Sequence, residues 1–89
     1  MSDIEALLRE LRGLEAIRGA GPGEIAELLT KAKSAAGRWA DVLYEIQEST
    51  QGLVGPRAEA ALEFAFRRAE ESYVELEIAL ADCSREHGR

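Results

Sequence analysis

One cysteine, one histidine and two prolines are all that the 89 residues hold of those types, and each scarcity excludes something. A lone cysteine, Cys83, cannot close an intramolecular disulfide, so no covalent staple supports the fold. Cys83 and His87 stand four apart on one helix face, but a structural zinc site wants four ligands and no other Cys or His exists to complete it. No metal or other cofactor is therefore expected. A nucleophile needs a base beside it, and a single imidazole near the end of a helix is a poor candidate. Glu70, Glu71, Glu75 and Glu77 could suggest a carboxylate site of the ferritin-like kind, which uses Glu-x-x-His pairs; position 84, three before His87, is Ser84. A solvated acidic face explains them better. No catalytic residue, and hence no enzyme, is expected.

Strand-type runs are also missing. Without a strand there is no Gly-rich loop between strand and helix to cradle a phosphate, so no nucleotide or other small-molecule substrate is evident. No window approaches 18 apolar residues, and Met1, Ser2 and Asp3 do not begin a basic region followed by an apolar run, so neither a membrane span nor a signal peptide is expected. The expected location is cytoplasmic, with secretion that uses no cleaved signal left open. Basic residues are outnumbered, 11 against 17 acidic, for a formal net charge of −6. That surplus is spread along the chain, and Arg67 and Arg68 form the one adjacent basic pair. A phosphate backbone or an anionic membrane would repel such a chain at long range.

What is present is helix-former composition: Ala, Leu, Glu and Arg, with hydrophobic residues at 46% and charged ones at 31%, the balance of a folded chain. Ser2-x-x-Glu5 has the form of a capping box, and Ile4, Leu7, Leu8, Leu11 and Leu14 continue at helical spacing to a break at Gly19–Gly23. Pro22 suits the first turn of a second helix. Its stripe is Ile25, Leu28, Leu29, Ala32, Ala35, Ala36, Trp39, Val42, Leu43 and Ile46, with Lys31 and Arg38 among the residues facing away and Trp39 expected in the core. Gly37 inside this helix costs roughly 1 kcal/mol relative to Ala, which a close helix crossing would explain. Gly52 is placed to be the left-handed residue after the helix, with Leu53 folding back as the accompanying hydrophobic contact. Pro56 then opens a third helix.

These breaks predict an all-α fold in one domain spanning residues 1–89, with helices at about 3–18, 22–50 and 56–86. Short connections make neighbours antiparallel. At 1.5 Å per residue the helices span roughly 24, 40 and 45 Å, so the second and third form a long hairpin and the first packs on about half of it, as in a three-helix bundle. The third helix is apolar on two sides. Ala58, Leu62, Ala65, Ala69, Tyr73, Leu76, Leu80 and Cys83 form one stripe, and Ala60, Phe64, Val74, Ile78 and Ala81 lie on roughly the opposite side. A helix with two apolar sides needs two neighbours. The residues expected to meet a partner are Phe64, Ile78 and Val74 on that outer side, with Phe66, Ile46, Leu53 and Val54 near the tip of the hairpin. Tyr44 points about 100° off the second stripe, where it either borders a contact surface or stands as a half-exposed ring.

The Gly-containing turn at Gln51, Gly52 and Leu53 between two long helices, and Tyr73 followed by Glu77, resemble the Trp-x-Gly family of small helical hairpins exported by type VII secretion. The tryptophan of that family's turn is absent, since Trp39 lies within a helix. The resemblance implies an acidic hairpin that pairs as a dimer and carries a Tyr-x-x-x-Asp/Glu export signal at Tyr73 and Glu77. From the residues themselves, the expected role is a non-enzymatic interaction protein that forms a homo-oligomer or binds a helical protein partner. An acidic antitoxin or immunity protein that occludes a basic partner is a further alternative.

Overall fold

The computed structural model describes residues 3–15 and 22–87. They form three α-helices, α1 (Asp3–Glu15), α2 (Pro22–Thr50) and α3 (Pro56–His87), and no strand is present among the described residues. The two prolines open α2 and α3, where a missing N–H has no partner to lose. The proposed cap at Ser2, residues 16–18 at the end of the first helix, and most of the Gly19–Gly23 break lie outside the described residues.

α2 ends in a turn that its own groups close. The Thr50 hydroxyl donates to the Ile46 carbonyl at 2.9 Å and the Leu53 amide to the Thr50 carbonyl at 2.9 Å. Gly52 has φ +79°, the left-handed conformation expected of it. Its amide donates to Glu59 Oε2 at 3.0 Å, so the first turn of α3 reaches back to hold the end of α2. Leu53 corrects the expectation: its side chain is 81% exposed. Polar groups satisfy the turn, so no hydrophobic clasp is needed there.

α2 and α3 form the long hairpin, and α1 packs on α2. Two separate flanks of α2 are used. Lys33, Gly37, Ala40, Tyr44 and Gln47 recur at steps of three and four and face α3. Lys33 Nζ lies 5.5 Å from the centre of the Tyr73 ring and 3.9 Å from Glu77 Oε2, and a Cβ on Gly37 would stand 3.3 Å from the Tyr73 ring. Gly37 thus leaves room for the Tyr73 side chain of α3, and the neighbour it meets is a ring and not backbone. Lys31, Ala35, Arg38 and Val42 form the other flank, toward α1: Arg38 Nε donates to Glu10 Oε1 at 3.4 Å, and Lys31 runs beside Gly13. Lys31 and Arg38 therefore do not face away from the protein, as their sequence pattern suggests; they border the α1 seam. No Cα of α1 comes within 8 Å of one in α3.

The core is made of small side chains. Ala40, Leu43 and Ala69 are buried together, with Ala65 and Phe66 packed against them, while Ala6, Ala35 and Val42 are buried elsewhere. Among the described residues no large side chain is fully buried. Trp39, expected in the core, is 46% exposed. The reason is geometric: at about 100° per residue, Trp39 falls between the α1 flank and the α3 flank, and neither neighbour covers it. The molecule is correspondingly extended, 52 × 24 × 18 Å with a radius of gyration of 15.7 Å, against about 12 Å for a compact domain of this length. Its accessible surface is 6405 Å², about 1,300 Å² more than a compact monomer of this mass exposes.

Candidate functional site

The inner side of α3 is set by Leu62, Ala65, Ala69, Tyr73, Leu76 and Leu80, all buried or half-buried against the hairpin. With that side fixed, 3.6-residue periodicity turns Phe64, Val74 and Ile78 outward. Phe64 is 63% and Ile78 59% exposed, and Val74 is exposed too. Ala60 and Ala81 extend the strip at either end and are exposed. Glu63, Arg67 and Glu71 interrupt it. Arg67 donates to Glu63 Oε2 at 2.9 Å one turn away, a solvent-exposed pair of the kind that contributes well under 1 kcal/mol.

The other residues expected at a partner site are not all gathered with these three. Phe66 is half-buried, packed on the Ala40, Leu43 and Ala69 cluster, with its ring 5.5 Å from that of Tyr44 at 52°. Those two rings and Val74 line an open groove of about 810 Å³ between α2 and α3, edged by Glu63, Glu70, Glu71 and Glu75 against the single cation Arg67. Ile46 is exposed, but it lies two turns from Trp39 on the open side of α2 and does not line this groove. Leu53 is exposed in the turn and Val54 beside it is half-buried. Sequence reasoning missed the exposure of Trp39 and of Ile4, Leu8, Leu11 and Ile25. A hint was present in the stripes themselves, which are wider than one neighbour can cover.

Tyr73 and Glu77, the pair that the family resemblance assigns to export, sit at the hairpin interface and both engage Lys33. Cys83 is a half-buried free thiol. Among the described residues no group of three or more His, Cys, Asp or Glu side chains is placed to hold a metal ion. No helix among them is long and apolar enough to cross a membrane. The chain matches no protein-family model, no curated protein and no solved structure.

Proposed function

We propose that this chain is a non-enzymatic helical interaction module that self-associates or receives a partner's helix on the outer side of α3. The observation that carries this is the pair Phe64 and Ile78, two large apolar side chains on one helix face and both more than half exposed. Fourteen residues separate them, roughly 21 Å along the helix, a length suited to contact with several turns of another helix. Each would contribute on the order of 1.5–3 kcal/mol if fully buried.

The test is the double substitution Phe64→Gln with Ile78→Asn. Because neither side chain is buried within the chain, circular dichroism should stay that of the folded protein, while association measured by sedimentation or partner capture should be lost. A double variant that remains both folded and associated would remove the support for this face.

The acidic edge of the neighbouring groove favours a second role, an antitoxin or immunity protein that occludes a basic partner. Glu63, Glu70, Glu71 and Glu75 outweigh Arg67 there, and complementary charge of this kind speeds encounter. The association rate with such a partner should fall steeply as salt is raised; a salt-independent rate would count against this role.

A further inference from the structure

We propose that the groove between α2 and α3 takes a basic amphipathic helix of a partner protein, an occupant that rests on the basic-partner role proposed above and specifies the element through which such a partner would bind. The floor of the groove is apolar. Phe66 is half-buried, Tyr44 beside it is 50% exposed, and their rings stand 5.5 Å apart. Glu70 and Val74 line both the main groove and a smaller extension of about 230 Å³ that continues past Ala40 and Asp41 to Gly37. From Gly37 to Gln47 on α2, and from Glu63 to Glu75 on α3, the walls run for roughly 15–18 Å, about three turns of helix. No described residue of α1 lines either part.

Two features identify the occupant. The first is charge. Arg67, the single cation of the main groove, is already engaged by Glu63 at 2.9 Å. Among the described residues Glu70, Glu71 and Glu75 have no ion-pair partner, and Asp41 adds a further carboxylate at the extension. Glu71 and Glu75 stand four apart on α3, a spacing at which like charges repel. A cation placed over them relieves that repulsion. An apolar floor under an uncompensated acidic rim is thus complementary to a helix whose apolar anchors are flanked by Lys or Arg. A second copy of this chain does not supply one: α1, α2 and α3 each carry more acidic than basic side chains, so like charge opposes that pairing at the groove.

The second is the backbone. Both walls are helices, whose N–H and C=O groups pair within their own ladders, so the groove offers no edge to which an extended peptide could add as a strand. The occupant must satisfy its own backbone, as a helix does. Side-chain ridges three and four residues apart on α2 and α3 also accept the ridges of another helix.

Fluorescence anisotropy on the full chain tests this, with a labelled peptide of about 15 residues, four turns, made of Leu and Lys with Leu at helical spacing. The peptide should bind at low salt and gain helical circular dichroism as it does. A peptide of the same composition with its Leu spread around the helix should bind at least roughly tenfold more weakly. Tyr44→Ala, at an exposed position, and the pair Glu70→Lys with Glu71→Lys should each weaken binding at least roughly tenfold, with the protein's own helical signal retained. Glu27→Lys with Glu48→Lys changes the net charge equally but lies outside the groove, so it should keep most of the affinity, as should Phe64→Gln with Ile78→Asn. Salt-sensitive binding that is the same for both peptides, or the same for the groove variants as for the wild type, overturns the helix occupant and leaves the basic-partner role standing. Absence of binding by either peptide at low salt overturns both. A peptide with Glu in place of Lys that binds as tightly overturns the charge complementarity, and loss of binding on substitution of Phe64 and Ile78 places the contact on the outer side of α3 instead.

Discussion

Gly37 and Tyr73 set how closely α2 and α3 approach. A methyl group at position 37 would stand 3.3 Å from two carbons of the Tyr73 ring, tighter than ordinary contact, while the helix itself would gain roughly 1 kcal/mol from losing a glycine. Open space adjoins the ring on this flank, so it can shift by a few tenths of an ångström. Gly37→Ala should therefore be within about 1 kcal/mol of the wild type in chemical unfolding, whereas Gly37→Leu should cost about 1–3 kcal/mol by forcing the helices apart. Leu43, buried with Ala40 and Ala69, is one of the few larger side chains in the core, and Leu43→Ala should cost about 2–5 kcal/mol. Gly37 was legible in the sequence because a glycine inside a long helix needs a reason. Trp39 was not, because periodicity identifies an apolar side of a helix without saying which part of it the neighbours will take.

At the scale of elements, the ends of α2 and α3 followed from local chemistry that acts over a few residues: Pro22, Gly52 and Pro56 stand where helices start or stop. Leu53 did not follow, since a hydrophobic clasp competes with polar closure and the Glu59 carboxylate and Thr50 carbonyl take that role. Gly52 has φ +79°, where an L side chain costs roughly 1–2 kcal/mol. Gly52→Ala should lower stability by about that amount in chemical unfolding, with Gly52→Asn closer to the wild type because Asn tolerates this conformation. The two-sided character of α3 was readable from residue angles alone, and its outer residues are exposed. Placement of α1 was not readable to the same degree. Its stripe of leucines predicts contact with the hairpin, but α1 meets α2 instead through Glu10 and Gly13, beside Arg38 and Lys31, and leaves Ile4, Leu8 and Leu11 in solvent.

Across the whole molecule, the small core and the large surface have one physical consequence. Alanines bury little area, so the roughly 25 cal/mol per Å² of the hydrophobic effect has little to act on within one chain, while eleven large hydrophobic side chains among the described residues remain exposed. A fold of this kind gains stability when another chain covers it, because whatever binds the folded state and not the unfolded one shifts the equilibrium by mass action. The measurement that tests this most directly is the thermal midpoint of the wild-type chain as a function of its own concentration. If two copies complete the fold, a hundredfold rise in concentration should raise Tm by roughly 5–10 °C for a domain of this size. A Tm that does not move over that range, with the mass remaining at 9.7 kDa, would show that the chain folds alone and leaves its apolar surface uncovered by itself.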